Sequence, residues 1–449
     1  MKLQHYIFLV PALFMMSSCG IYSKFENRPL DYDAQSLCVQ DSLTEPLASM
    51  SWRELFSDSC LVKWIERGLS MNTDLRVAQL KVDEANATLS ASRLAFLPSA
   101  KLSADENVGY KSASRFTIGP SASWEIDVFG KQRNLNKGAE AMFYASQAYS
   151  QAVRTQLIST IANGYYTLLM LDEQLSISER TLKTWDENIR VLQSLKRAGR
   201  TNEAAVLQAR ANRIKVESSA ITLRTQIASQ ENSIKALLLD PEMDMTRGTL
   251  DDKSFPDTVS SGVNLMMLSN RPDVKEAEYR LQKSFYDVNV ARAAFYPSVT
   301  LSGNLGWTTT SGTIANPSSW IANAIGSIAA PLFSRGTNKA NLEIARSEYE
   351  IASLNFQQIL FDAGMEVNNA LIAWQSARDK VTLDKKQIVA LKGAVHNTRL
   401  LMRNTSTNYL EVLTAQQRLL EAELSEAYDR YDVVQSIITL YHALGGGAD

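Results

Sequence analysis

Cysteine and histidine are nearly absent from this chain, with three of each in 449 residues. That scarcity leaves little material for a zinc centre, a disulfide scaffold or histidine-based acid–base chemistry. No His/Cys/Asp cluster has metal-ligand spacing, and no glycine-rich phosphate loop occurs. No resident metal or cofactor is expected, and no catalytic group. Neither sign of charge dominates: 46 basic against 48 acidic residues give a formal net charge of −2, which argues against a nucleic-acid binder. Past the N-terminus no segment has the 18 or more apolar residues of a membrane helix. What is present is Ala, Gln, Ser, Leu and mixed charge, the composition of long solvated helices.

The N-terminus reads as a targeting segment over residues 1–18. Lys2 supplies a short positive region, Tyr6 to Met16 is apolar, and Met16-Ser17-Ser18-Cys19-Gly20 puts a cysteine directly after small residues. This order resembles a bacterial lipobox, in which cleavage leaves Cys19 as the acylated first residue. The alternative is an ordinary signal peptide with Cys19 incidental. Acyl chains on Cys19 would anchor the chain firmly to a lipid surface. Residues 19–60 then form a lipid-anchored lead-in, which over residues 20–50 mixes Pro, Asp, Ser and Tyr without periodicity. Cys38 and Cys60 remain. An oxidising compartment permits a disulfide between them, and two free thiols are equally compatible with the sequence.

The body of the chain is written twice. Ala95-Phe96-Leu97-Pro98-Ser99 returns as Ala294-Phe295-Tyr296-Pro297-Ser298, Phe129-Gly130 as Phe333-Ser334-Arg335-Gly336, and Val206-Leu207-Gln208-Ala209 as Val412-Leu413-Thr414-Ala415. The offset drifts only from 199 to 206. The spacing divides the chain into a first repeat, 61–260, and a second, 261–449, each reading helix, two strands, very long helix, shorter helix. A helical period runs through Leu61 to Leu97 and stops at Pro98. The period then changes to two. Strands are expected over about 99–110 and 115–128, and again over 298–308 and 320–333. Phe116, Ile118, Pro120, Ala122, Trp124, Ile126 and Val128 share one face of the second strand; Ser121, Ser123, Glu125 and Asp127 share the other. The fourth strand alternates poorly.

Long helices are expected over 131–197 and 337–403, each about 67 residues or roughly 100 Å if continuous. Returning helices follow over 202–238 and 408–444. Apolar positions step alternately by three and four, as at Leu157, Ile161, Gly164, Leu168 and Leu171, or Leu360, Ala363, Val367, Ala370 and Trp374. That is coiled-coil spacing. Tight reversals at Ala198-Gly199-Arg200-Thr201 and Asn404-Thr405-Ser406-Thr407 therefore cap two antiparallel hairpins. Strands of 10–12 residues with one apolar face suit a membrane barrel, whose strands need about 9–11. Four strands cannot close one, since about eight are the practical minimum. Either the sheet packs on another layer or several chains pool strands, and three chains would supply twelve.

Trp124-Glu125-Ile126-Asp127-Val128-Phe129-Gly130, Arg271-Pro272-Asp273-Val274, Ala277-Glu278, Ala291-Arg292-Ala293, Phe295-Tyr296-Pro297-Ser298, Pro331-Leu332-Phe333, Tyr409-Leu410-Glu411-Val412-Leu413 and Leu440-Tyr441-His442-Ala443-Leu444-Gly445-Gly446-Gly447 stand in order along the chain. Together they resemble the outer membrane efflux protein family, the TolC-like channels and their lipoprotein branch, from about Trp52 to Gly447. The resemblance implies a mainly α fold with membrane β. Long helical hairpins would form a periplasmic tunnel, and four strands per chain would contribute to a homotrimeric twelve-stranded barrel in the outer membrane. It implies a passive exit duct for drugs or other small toxic compounds, working with a periplasmic adaptor and a proton-driven, RND-type inner-membrane transporter. It also implies sites. Adaptor hairpins would meet the tips at Gly199, Arg200, Thr405 and Ser406. The periplasmic constriction would involve Leu410 and, four residues on, Thr414, where the family commonly has an acid. Glu203 and Glu411 would lie close by and supply negative charge.

Plainer readings stand beside these. The tip residues also fit solvated helix faces. Arg271-Pro272-Asp273 fits a helix start, with Asn270 as cap, Pro272 in the first turn and Asp273 favouring the dipole. Phe129 and Phe333 are expected to pack the strand–helix junctions. Tyr110, Trp124 and Trp307 fit either an interfacial aromatic girdle or strand packing. Lys101, Asp105, Glu125 and Asp127 are expected to line a lumen. Rival functions are a duct for ATP-driven protein secretion, a coiled-coil envelope spacer or adaptor, and a lipoprotein enzyme on a helical scaffold.

Overall fold

The computed structural model describes residue 25 and residues 50–107, 115–250, 268–309, 319–404 and 409–446. Three helices open it: α1 (Trp52–Leu55), α2 (Ser59–Met71) and α3 (Thr73–Leu94). Strands β1 (Ser99–Asn107) and β2 (Arg115–Ile126) lead into α4 (Lys131–Arg197) and α5 (Glu203–Leu238). The second copy continues as α6 (Pro272–Ala293), β3 (Ser298–Thr309), β4 (Ser319–Ala329), α7 (Thr337–Asn404) and α8 (Tyr409–Ala443). The signal segment, Cys19, Cys38, Tyr110, Thr405 and Ser406 lie outside the described residues. Among the described residues no helix is long and apolar enough to cross a membrane.

The helical stretch expected over Leu61 to Leu97 is two helices. Asn72 breaks it with an extended backbone, and its side chain accepts from Leu75 N at 3.1 Å and donates to Leu237 O at 3.1 Å. One short amide thus caps α3 and ties the bend to α5, an alternative to the helix ladder that Asn offers readily.

Contact density divides the chain into two compact units, and each takes parts of both sequence copies. The first holds Ala78–Tyr149 and Asp273–Ile359. Its sheet runs β1-β2-β3-β4, every neighbouring pair antiparallel. The register aligns the faces across all four strands. Ala100, Ala122, Gly303 and Ala324 form one row; Trp124, Leu301 and Gly326 form another; Ile126, Val299 and Ile328 a third. The opposite face carries Lys101, Ser121, Asn304 and Asn323, then Ser99, Ser123 and Ser302. In β4 the polar face is interrupted by Ile325, paired with Ser302, which is why that strand alternates poorly. Between β2 and β3 the pairing passes from Ile118–Trp307 to Ser121–Asn304, and Gly119 and Gly306 press together there. A Cβ on Gly119 would stand 2.0 Å from Leu305 O. Pro120, which has no N–H, sits in the same gap.

Strand gives way to helix through left-handed glycines, Gly130 (φ +69) and Gly336 (φ +81), which stand in equivalent places in the two copies. β2 ends at Ile126, so Asp127 is not a strand residue facing a lumen. Its carboxylate accepts from the backbone N–H of Gln132 (2.9 Å) and Arg133 (3.0 Å), holding the free donors at the start of α4. Glu125 pairs with Lys131 at 3.2 Å. Phe129 packs the junction, stacking on Tyr296 at 5.1 Å between centroids. Phe333 does not: it is 86 % exposed. β4 stops at Ala329, short of Pro331, and leaves Phe333 past the edge strand of the sheet, with no further strand beside it among the described residues.

The second unit holds Asp33–Val77, Ser150–Pro272 and Leu360–Asp449. Heptad positions fill its core: Leu157, Ile161, Leu168, Trp185 and Leu192 of α4; Leu360, Ala363, Val367, Ala370 and Trp374 of α7; Val434, Ile438 and Tyr441 of α8. Trp64 of α2 meets Tyr165 edge-on at 5.0 Å, and Tyr165 hydrogen-bonds to Asp58, which caps α2. Among the described residues Cys60 has no disulfide partner, and Cys38 lies outside them.

Candidate functional site

The first helix tip, in the second unit, is built by backbone rules. Gly199 N donates to Lys196 O (3.0 Å) and Arg200 N to Leu195 O (2.9 Å), while Gly199 takes φ +72. This pair of bonds with a left-handed glycine is a Schellman close. Asn202 then starts α5, its side chain accepting from Ala205 N at 3.1 Å. Lys196 and Glu203 pair across the turn. That hydrogen bond holds the Glu203 carboxyl below its usual range. The carboxylate expected to add negative charge near a constriction is therefore balanced by a lysine of its own hairpin.

Behind the turn, Trp185, Leu192, Ala205, Val206, Ala209 and Val216 form a buried cluster that also takes in Leu413 of α8. Met402, Tyr409 and Leu420 pack against it. One core thus joins the tips of both hairpins. Beside it, Asn188 Nδ2 donates to Gln416 Oε1 at 2.5 Å, both residues buried. α8 leaves this core with a clear division of faces. Val412, Leu413, Ala415 and Gln416 are buried, whereas Leu410, Glu411 and Thr414 are exposed. Leu410 and Thr414 are four residues apart and share one helix face. Leu410 is 49 % exposed where Leu413 is 3 %.

Two charged clusters of the second unit left no local mark in the sequence. Arg271 is 4 % exposed and donates to Ala443 O at 2.6 Å and to Glu366 at 2.8 Å. α6 begins at Pro272, so the residue preceding it is Arg271 rather than Asn270, and the guanidinium clamps the end of α8 to α7. His442, at 3.8 Å a nearby charge when protonated, and the hydrogen-bonded Arg271 hold the Glu366 carboxyl down to about 2. Farther along the same hairpin Asp384, on the α7 heptad seam, faces Asp429 of α8, and burial with that second carboxyl pushes Asp384 up to about 6. Lys380 stands 3.5 Å from Asp429. No local pattern could have announced either cluster, because their members lie far apart in sequence. Among the described residues no group of His, Cys, Asp and Glu could hold a metal ion.

The model of the family described as outer membrane efflux protein matches residues 64–238 and 266–446, one match for each copy and well over half of the chain. The chain belongs to the outer membrane efflux protein family. The cation efflux system protein CusC of Escherichia coli K12 is 27 % identical over 447 residues, covering 96 % of this chain and 97 % of that protein. The probable outer membrane lipoprotein SilC of Salmonella typhimurium is 27 % identical over 454 residues, covering 98 % of each. The crystal structure of the open state of the MtrE outer membrane channel of Neisseria gonorrhoeae superposes with a TM-score of 0.85 at 25 % identity, over 95 % of this chain and 98 % of that one. The doubled sequence, the four-stranded antiparallel sheet and the long hairpins are thus this family's fold.

Proposed function

We propose that three copies of this chain pool their sheets into a twelve-stranded barrel and act as the outer-membrane exit duct of a tripartite efflux pump. The observation that carries this reading is the sheet: one face apolar across every strand apart from Glu106, and two edges, β1 and β4, that run antiparallel to each other and have no strand partner among the described residues. A sheet in lipid must close, because an open edge leaves backbone groups unsatisfied. The exposed Leu102, Leu301, Leu305 and Ile328 suit contact with hydrocarbon. The polar face, with Lys101, Ser121 and Asn304, then lines the lumen.

In this assembly the hairpins form the periplasmic tunnel. Gly199, Arg200, Thr405 and Ser406 meet a periplasmic adaptor, which links the duct to an inner-membrane, RND-type transporter. The exposed face of α8 at Leu410, Glu411 and Thr414 narrows the periplasmic end, with Glu203 nearby and balanced by Lys196. Cys19 is the acylated residue and adds a lipid anchor. Cargo consists of small toxic compounds, drugs or cations, chosen upstream by the transporter.

The test places arginine at two adjacent residues of β3. Leu305→Arg puts charge on the apolar face, at about 2–4 kcal/mol in mid-bilayer. Asn304→Arg puts it on the polar face. Leu305→Arg is expected to abolish assembly in the outer membrane and Asn304→Arg to preserve it. Equal behaviour of the two would refute the barrel and favour the envelope-spacer reading.

A further inference from the structure

One aromatic side chain from the N-terminal lead-in is seated on the first unit. Phe25 meets Phe285 of α6 edge-on, with ring centroids 5.5 Å apart at 72°. Phe285 in turn meets Tyr349 of α7 at 6.0 Å. Edge-to-face rings at these separations attract through their quadrupoles as well as burying apolar area. All three residues are half-buried. The socket is held from behind. Ala345 and Ser353, one turn to either side of Tyr349, are buried, and so are Leu281 and Val288 to either side of Phe285. The two socket rings therefore stand on packed helices and not on a loop.

Phe25 is also close in the chain to Cys19, six residues before it. Six residues span about 20 Å at full extension. Phe285 lies eight residues before Ala293, the last residue of α6, and five residues further on Ser298 begins β3. Eight helical residues rise about 12 Å. With Phe25 held at Phe285, Cys19 passes the end of α6 by about 8–10 Å at most. That is the foot of the sheet, where helix gives way to strand. Lipid surrounds a barrel only on its outside, so a leash that ends in lipid must leave from an outward-facing groove.

We infer that the α6–α7 groove at Phe285 and Tyr349 is the docking site of this chain's own acylated N-terminus, with Phe25 as the hook of a six-residue leash. The inference rests on the reading of Cys19 as acylated and of the sheet as part of a barrel. It adds the anchor's fixed point, its reach, and the outward face of the groove. A leash this short holds the acyl chains beside the foot of β3.

Trypsin reads the hook. Between Cys19 and Arg53 the chain has two basic residues, Lys24 and Arg28, and Arg28 precedes Pro29, which blocks cleavage. Cutting after Lys24 requires the protease to take up Phe25, so its rate follows the fraction of chains with that ring out of the socket. The full-length protein is digested in sonicated outer-membrane fragments, and release of residues 19–24 is followed by mass. Phe285→Ala leaves the scissile sequence intact and should speed cutting about tenfold, the worth of one buried aromatic pair. Phe25→Ala, outside the packed helices, should do the same relative to its own rate in the urea-unfolded chain. Deleting residues 21–23 leaves a reach of about 10 Å, short of the end of α6, and should also speed cutting. Inserting six Gly and Ser residues at the same place should not. Unchanged cutting in both ring variants would overturn the hook, and acyl chains on the released fragment would leave the anchor reading standing. A released fragment without acyl chains would overturn the anchor and the leash together. Faster cutting in both ring variants but not in the deletion would overturn the leash's reach.

Discussion

Adding one methyl group at different glycines of the sheet should produce a graded series that the backbone geometry fixes in advance. A Cβ on Gly119 would lie 2.0 Å from Leu305 O and 2.5 Å from Gly306 Cα, both backbone atoms of the paired strand. On Gly306 the nearest atom is Ile118 O at 2.7 Å, on Gly303 it is Asn323 O at 3.3 Å, and on Gly326 it is a Leu301 side-chain carbon at 3.9 Å. Ordinary contact is about 3.5–4 Å, so Gly119→Ala requires β2 and β3 to part by more than an ångström. Overpacking of this kind costs about 1–3 kcal/mol where side chains can yield, and a backbone carbonyl cannot rotate away without breaking the ladder. Gly119→Ala should therefore cost about 3 kcal/mol or more, Gly306→Ala about 2, and Gly303→Ala less than about 1. Gly326→Ala should be neutral or stabilise by about 0.5 kcal/mol, since Ala is the less flexible residue in the unfolded chain. The assay is thermal unfolding of the detergent-purified protein, with the yield of outer-membrane-assembled protein as a second reading. Gly119→Ala and Gly326→Ala melting together would refute the close approach of β2 and β3.

The helical unit and its tips supply four further expected outcomes. The Glu366 carboxyl titrates near 2 in the folded chain against an ordinary 4.5, so its stabilisation is complete above about 4.5 and is lost as pH falls toward 2; Glu366→Gln should flatten that acid limb in pH-dependent melts. Asp384 has the opposite sign: its raised value means stability declines as pH climbs from about 4 to about 6, so Asp384→Asn should raise the melting temperature at pH 7 and not at pH 4. Leu239 closes α5 in the left-handed region at φ 50, half exposed, and Leu239→Gly should stabilise by up to about 1 kcal/mol in the same melts. Leu410→Ala should raise single-channel conductance if this leucine narrows the duct, and an unchanged conductance would remove it from the constriction.

The fold class was legible because two periods dominate the chain. Steps of three and four from Leu157 to Leu192 and from Leu360 to Trp374 are a long-range signal that no single residue can spoil, and they mark the hairpin cores. Alternation from Phe116 to Ile126 did the same for the sheet, with Pro120 tolerated because it falls in a gap of the ladder. The misreadings are local. Asp127 continues the alternation of β2, yet its carboxylate binds the free N–H groups of α4, a competition that periodicity does not register. Asn72 sits within a helical pattern and breaks it, because its amide finds partners on both sides of the bend. Phe333 matches Phe129 in sequence but not in environment, since its packing depends on whether another strand pair extends the sheet past β4. The buried Arg271–Glu366 pair, 95 residues apart, carries no local pattern at all. Of the tip residues, Gly199 was readable from turn chemistry alone, whereas the pairing of Glu203 with Lys196 needed the geometry of the reversal.

A water-filled duct made by association of this chain with copies of itself must conduct ions. Planar-bilayer recording of the detergent-purified protein, at a protein mass established for the same preparation, tests it most directly. Particles of three chains should give discrete ion-conducting steps. Single chains that leave the bilayer silent would contradict it.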